Sequence, residues 1–357
     1  MTTPVRRHEV GSLRHALSRL LKSKLTRAGL LAFAGLGFLA VFADLFASDY
    51  PLYCTVAGKT YVLPAVTHPR ALSGTDNARI ARETTAFAIY PLVRRGPTTP
   101  TDEVMQPPSG AHPFGTDASG RDVLAQTIHG VRTQLGFALL AVLSYVMLGT
   151  LVGAIAGFLG GGLDFLAERL IDTMSAMPSF VLVLCVQAAL PHPDLTTLFV
   201  AVVLARFAEV ARLVRVEVQD VASRDYVLAA RALGASPLRV LWRHVMPNAR
   251  VQAIVSATFG LGTVVFLEAQ LEFLRVGDSG RWASWGQVMA DVRTHPQAYW
   301  LLLFPGVFLL LTVIASNLVG EALRDALDPR EVRARSAPDA DARTYETTPP
   351  TSRRAQE

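Results

Sequence analysis

An all-α polytopic membrane protein with six transmembrane helices is the fold this sequence predicts, carrying a small extracytoplasmic insertion, α+β or irregular, between the first two helices. Three observations carry that expectation. Hydrophobic residues make up 51% of the 357 and charged residues only 18%, whereas soluble domains approach about a quarter charged. Apolar segments of about 20 residues, enough for a helix to cross the hydrocarbon core, recur along the chain. Basic residues crowd the N-terminus and the loop from Arg224 to Arg250, which the inward bias of basic loops places in the cytoplasm.

Residues 1–27 hold Arg6, Arg7, Arg14, Arg19, Lys22, Lys24 and Arg27 against Glu9 alone, which places the N-terminus in the cytoplasm. The first span, within 28–47, lacks a small-residue cleavage site after its apolar run and reads as a retained helix rather than a cleaved signal. Residues 48–131 form the extracytoplasmic insertion. Within it, 52–56 and 59–63 flank Ala57-Gly58 as a predicted β-hairpin. From 64 to 110 the segment is irregular, with one short helix near 78–88, and a further short helix runs to about His129.

The remaining transmembrane unit covers 132–329. Its spans are Leu135–Leu159, Ile171–Leu190, Leu195–Val214, Val251–Leu267 and Ala298–Leu318. Hydropathy alone rejects the fourth span of the chain, which ends in Arg206, Glu209, Arg212 and Arg215. Topology restores it, because the basic loop with Arg224, Arg231, Arg239, Arg243 and Arg250 faces the cytoplasm only if that segment spans. The charged residues are then a solvated extension of the helix or a substrate contact. Pro329 stops the last helix, and 330–357, charged and rich in Thr and Pro, is expected to be a disordered cytoplasmic tail.

Several function classes drop out on these grounds. A basic pI set by arginines at membrane borders, without interleaved aromatics, gives no nucleic-acid surface. Cys54 and Cys185 lie too far apart in this topology to pair, and no metal site follows. There is no Gly-x-x-x-x-Gly-Lys-Ser/Thr loop to cradle a phosphate, and no Gly-x-Ser-x-Gly or His-Glu-x-x-His pattern for hydrolysis. No catalytic residue is expected. A general acid-base or metal group of His112, Asp117 and Asp122 is the weaker reading of residues that suit helix capping.

The most informative stretch is a charged helix-turn-helix pattern at 224–248, between two membrane-length segments. Asp225, Tyr226, Leu228, Ala229, Ala230 and Arg231 form its first helix; Gly234 and Ala235 the turn; Pro237, Arg239, His244 and Pro247 the second half. This stretch resembles the loop shared by permease subunits of bacterial ABC importers, whose pattern is Glu-Ala-Ala, a Gly after three intervening residues, and a Pro near the end of a second short helix. Ala229, Ala230, Gly234 and Pro247 stand at the matching spacing. Leu228 replaces the glutamate, with Asp225 on the same helical face as a substitute acid, and His244 and Met246 replace an Ile and a Leu. The residue-level alternative is a solvated amphipathic loop.

Further motifs point the same way. The segment from His112 to Leu124, with Gly115, Thr116, Asp117, Gly120, Arg121 and Asp122, is similar to the signature before the second helix of C-type permeases of dipeptide and oligopeptide importers. Gly115 permits a tight turn, Thr116 or Asp117 caps the short helix, and Asp122 faces Arg121 or Arg132. Gly149, Gly153, Gly157 and Gly161 recur every four residues, a small-residue face for close helix packing in lipid, within the subunit or against a partner. The stretch 268–277 resembles the family's Glu-Ala-x-Leu-Ser-Phe-Leu-Gly-Leu-Gly, with Glu272 and Arg275 in place of a serine and a glycine. Glu268 and Glu272 are candidate translocation-path residues, since a carboxylate at membrane depth needs a partner or a polar cavity; a structural hydrogen bond near the outer interface is the competing role for Glu268. Trp285, in an Ala-Ser-Trp-Gly that resembles the family's Pro-Ser-Trp-Gly, is expected at the headgroup level. The ending from Asn317 to Pro329 resembles the same class.

What the resemblance implies is an assembly. It contains this chain, a B-type permease, two ABC ATPase subunits and an extracytoplasmic peptide-binding protein, in the bacterial inner membrane and in contact with lipid. ATP and Mg bind on the partner ATPases, so this chain holds no cofactor. The loop at 224–248 is then a coupling helix that docks in the ATPase. The long insertion is similar to the version of the family that imports larger peptides such as microcin-C-type antibiotics. Alternatives in the cargo are nickel or another small solute, and outside the class an ATP-independent channel.

Overall fold

The computed structural model describes residues 23–56, 59–72, 87–276 and 282–327. The basic residues 1–22, the hairpin turn Ala57-Gly58, most of the helix expected near 78–88, Gly277, Pro329 and the tail at 330–357 lie outside the described residues.

Helix α1 (Lys24–Val41) starts at Ser23, whose hydroxyl accepts the Thr26 amide, and a short α2 (Ala43–Phe46) follows. The chain then forms the antiparallel hairpin β1 (Tyr53–Val56) and β2 (Lys59–Val62), with Tyr53 opposite Val62, and a single turn, α3 (Pro64–Thr67). Buried Cys54 and Leu72 give this element its own small core. Ala47, at the end of α2, bridges Val93, and within the insertion Tyr53 bridges Ile89 and Asp49 accepts from the Gly96 amide at 2.7 Å and the Thr99 hydroxyl at 2.6 Å.

The helical body comprises α4 (Val123–Leu159), α5 (Gly161–Ser175), α6 (Ser179–Ala189), α7 (Leu195–Ala222), α8 (Asp225–Ala232), α9 (Pro237–Val240), α10 (Met246–Phe273), α11 (Trp285–Ala290) and α12 (Trp300–Leu327). Among the described residues, four helical stretches are long and apolar enough to cross a membrane: α1, α4, the run from Pro237 to Phe273, and α12. The broken pair α5–α6 makes a fifth if counted as one span. The protein is a helical, multi-pass membrane protein.

Two expected elements take a different form. The short helix expected to run to His129 is the first part of α4, which continues unbroken into the second span because nothing from Val123 onward breaks it. The third span, expected as one helix over 171–190, is bent by 80° between Ser175 and Ser179. Pro178 is the cause: it has no N–H for the carbonyl of Met174 and pushes Met177 out of helical geometry.

Side-chain contacts fix the helix directions. Gly149 packs on Phe207 and Val210 and Gly157 on Arg215 and Val218, so α4 and α7 run parallel, the most extensive pairing in the described structure. Between them α5–α6 returns: Asp164 pairs with Arg215 at 2.5 Å near one end, while Gln187 meets Thr197 near the other. Helix α10 runs against α4, as Gly260 faces Tyr145 and Glu268 reaches Gln134. Helix α12 runs against α10 through Gly320 and Phe259, and against α1 through Gly29 and Leu318. The start of α1, the α7–α10 connection and the end of α12 therefore share one side, and the insertion lies on the other.

The glycine face works within the chain. A Cβ on Gly149 would meet the Phe207 carbonyl at 2.6 Å, one on Gly157 the Arg215 carbonyl at 2.7 Å, and one on Gly153 would collide with the Ala211 carbonyl. Gly161 does not belong to this face: it follows Gly160, both have positive φ, and nothing approaches it. The two glycines turn the chain from α4 into α5 instead.

Candidate functional site

The α7–α10 connection is rigid at its base and apolar at its tip. Helix α8 ends in a Schellman arrangement: Gly234 has φ +82°, its amide bonds the Arg231 carbonyl at 2.9 Å, and the Ala235 amide bonds the Ala230 carbonyl at 3.1 Å. Ser236 and Pro237 then start α9, with Pro237 in the first turn where its missing donor costs nothing. A wide π turn, Leu241–Val245, carries the chain into α10, where Pro247 again sits in the first turn.

Three inward residues, Val227, Val240 and Val245, are completely buried. Tyr226 bonds Asn248 at 3.0 Å, joining the first helix to the start of α10. Arg231 stacks over Phe158 at 5.0 Å, joining it to the end of α4. Arg224 pairs with Asp220 at 2.6 Å. The connection is thus tied to α4, α7 and α10. Asp225, Leu228, Ala229, Pro237 and Arg239 are exposed, while Ala230, Ala235, His244 and Pro247 are partly buried in its frame.

Sequence reasoning missed the apolar tip. Leu233, Leu238 and Trp242 are exposed in this connection, as are Tyr226 and Leu228. Their signal was available, since large apolar residues in a strongly basic segment with no span to bury them mark a contact surface.

At the opposite end, the loop before α4 is held by its own side chains. Asp122, rather than Thr116 or Asp117, caps α4 by accepting the Ala125 amide at 2.9 Å. Its other oxygen takes a hydrogen bond from buried His112 at 2.7 Å, so the expected pairing with Arg121 or Arg132 does not form. Arg121 pairs with Asp117 at 2.9 Å, and Arg132 with Asp44 at 2.9 Å. Asp117 also accepts from the amides of Ser119 and Arg121 and from Gln126, while Thr116 accepts the Gln106 amide and donates to the Glu103 carbonyl. Gly115 and Gly120 have φ near +75°, and added side chains there would strike Gln106, Trp300 and Thr101. The side chains of His112, Thr116, Asp117, Arg121 and Asp122 all serve the loop's shape.

Glu268 and Glu272 are buried within this chain. Glu268 accepts from Gln134 and from Ser284, the latter at 3.2 Å, and Glu272 accepts from Gln287 at 2.8 Å. The carboxylates are satisfied by neighbouring side chains, which anchor α10 to α4 and α11. Trp285 does not face the surroundings: it is fully buried, donates to the Thr127 carbonyl at 3.0 Å and lies against Gly130, because Gly130 leaves room for an indole between helices.

Arg275 holds a left-handed backbone, φ +57°, and pairs with Asp291, whose other oxygen lies 3.4 Å from the Ala118 amide. Burial pushes the Asp291 carboxyl above its ordinary range, against the pull of the Ala118 amide and Arg275. The folded chain therefore binds that proton more tightly than the unfolded one, so this carboxyl's contribution to stability declines as pH rises through the raised value. Arg275→Gly removes the backbone strain as well as the cation, whereas Arg275→Ala removes only the cation. The alanine variant is expected to be less stable than the glycine variant by about 1 kcal/mol, read as a lower melting temperature in detergent.

The family model described as binding-protein-dependent transport system inner membrane component matches residues 149–333. The chain is 37% identical over 234 residues to the dipeptide transport system permease protein of Alkalihalophilus pseudofirmus, covering 65% of this chain and 76% of that one. It is 37% identical to the oligopeptide transport system permease protein of Bacillus subtilis, over 63% of this chain and 74% of that one. It is also 37% identical to the di/tripeptide transport system permease protein of Pseudomonas aeruginosa, over 64% of this chain and 78% of that one.

Proposed function

The chain belongs to the family of binding-protein-dependent transport system inner membrane components, and from that premise we propose that it is the C-type permease of an ATP-driven importer of peptides. The observation that carries the mechanism is the connection between α7 and α10. A rigid turn with an exposed apolar tip, fixed to three long helices, suits docking to a partner that moves it. ATP binding closes two partner ATPases, the turn passes their motion to α4, α7 and α10, and the cavity shared with a B-type permease changes the side to which it opens. An extracytoplasmic peptide-binding protein delivers the cargo, and hydrolysis on the ATPases resets the cycle. A partner shifts such an equilibrium only by binding its two states differently.

In this reading α1, α4, α5–α6, α7, α10 and α12 make six crossings. Helix α7 crosses despite its charges because Arg206, Arg212 and Arg215 each face an acid, at 2.8, 3.0 and 2.5 Å. Both ends of the chain and the coupling turn face the cytoplasm, by the bias of basic residues, and the insertion faces outward toward the binding protein.

Gly234 gives the direct test. Nothing surrounds the site of its missing side chain, so a substitution acts through backbone conformation alone. Gly234→Val forces a β-branched residue to positive φ, at roughly 1–2 kcal/mol or more, and redirects α9. Uptake of labelled peptide is expected to fall at least tenfold while the protein's amount in the membrane stays constant. Gly234→Asn, which tolerates that conformation, should retain much of the uptake. Full uptake by the valine variant would sink the coupling role.

A further inference from the structure

Halfway along α7, where α5 breaks into α6, lies a cavity of about 570 Å³. One wall is the break itself, with Ser175, Pro178 and Ser179. Because Pro178 has no N–H, the Met174 carbonyl lacks its helical donor there. The other wall is α7, which presents Glu209 and Arg212, one turn apart. Each of these charges is held by a counter-ion that does not line the cavity: Glu209 by Arg206 at 2.8 Å, and Arg212 by Asp172 at 3.0 Å. Both cavity-facing charges are about half exposed, and Arg206 is anchored over the Tyr145 ring at 5.8 Å.

A surface with one charge of each sign, two hydroxyls and an open backbone carbonyl has a definite preference. A simple cation meets Arg212, a simple anion meets Glu209, and a neutral solute leaves both with their existing partners. A zwitterion satisfies both. The volume falls in the range of small-ligand pockets, roughly 300–1,000 Å³, which suits a short peptide. We propose that this cavity is a transit site for the charged ends of the cargo peptide, Glu209 receiving the α-ammonium and Arg212 the α-carboxylate. The inference rests on the reading of the chain as a peptide importer. Each contact exchanges one ion pair for another, so the net affinity is small, as passage requires: favourable enough to enter and weak enough to leave.

The test is initial uptake by the complete importer of labelled trialanine, N-acetyl-trialanine and trialanine amide, comparing wild type with Glu209→Gln and Arg212→Gln. A charge-assisted hydrogen bond is worth roughly tenfold. Glu209→Gln is therefore expected to slow the free-amine peptides about tenfold more than it slows the N-acetyl peptide. Arg212→Gln should do the same for the free carboxylate against the amide. The binding protein is identical throughout, so a changed ratio belongs to the permease. Equal slowing of free and blocked peptides, or no slowing, would overturn the site while leaving the importer reading intact. Failure of the wild type to take up any of the three would sink both.

A second measurement bypasses the binding protein. In a Cys185→Ser background, Ser179→Cys in the solubilised complex should be labelled by a maleimide severalfold more slowly with trialanine than with its doubly blocked form. Glu209→Gln should abolish that difference. Equal protection by both peptides, or none by either, would overturn the site.

Discussion

Replacing Gly153 with leucine is expected to prevent this chain from accumulating as a folded membrane protein. A Cβ at that position would strike the Ala211 carbonyl and lie 3.0 Å from the Arg215 amide. Both atoms are backbone, so no side-chain rotation relieves the clash. Helices α4 and α7 must separate, and Gly149 and Gly157, against the Phe207 and Arg215 carbonyls, lose their contacts with it. Overpacking a core ordinarily costs about 1–3 kcal/mol; here the cost is on the order of 3 kcal/mol or more, a large share of a typical stability of about 5–15 kcal/mol. In lipid the loss is not offset by hydrophobic burial, because helix association there depends on close packing. The readout is monodisperse protein after detergent extraction and its melting temperature. Gly35→Leu on α1, where nothing lies within 4 Å, is the matched control and should behave as wild type. Similar yields for the two variants would show that α4 and α7 do not pack as described.

The contrast between Gly153 and Gly161 shows what was legible in the sequence. Four-residue spacing identified the helix face, and the first three glycines serve it, but spacing cannot see that the helix ends at Leu159. Gly161 continues the arithmetic after the helix that gave it meaning has stopped. The α8–Gly234–α9 turn was legible because its determinants are local: a left-handed residue, a proline in a first turn and a helix either side. The hairpin at 53–62 was legible for the same reason. What escaped depends on partners distant in sequence. His112 and Asp122, Glu268 and Gln134, Arg275 and Asp291, and Trp285 in the space left by Gly130 are pairings of residue types that each had several other options. Glu268 is the clearest case. A carboxylate in an apolar helix announces that it needs partners, and the sequence cannot say whether these come from a cargo path or from α4 and α11. The fold places Gln134 and Ser284 beside it.

Leu233→Asp should separate coupling from folding more cleanly than any substitution in the helices. Leu233 is 89% exposed, and its side chain makes no contribution to the Schellman turn, which is built from the backbone of Ala230, Arg231, Gly234 and Ala235. The variant should therefore insert and melt as wild type. If the turn is the surface on which an ATPase seats, a carboxylate at its apolar tip must be desolvated against a pocket shaped for leucine. A buried, unpaired polar group costs at least 1–3 kcal/mol, and a charged one more, so capture of the ATPase subunits on the tagged permease is expected to fall by at least tenfold. Uptake driven by ATP should fall with it. Leu228 and Trp242 are exposed in the same connection, and Leu228→Asp should behave alike, whereas Leu92→Asp, another largely exposed apolar site but on the insertion, should leave ATPase capture untouched. Retained capture and uptake in Leu233→Asp would place the ATPase elsewhere on the chain, because no arrangement that buries this tip can accept the charge without loss.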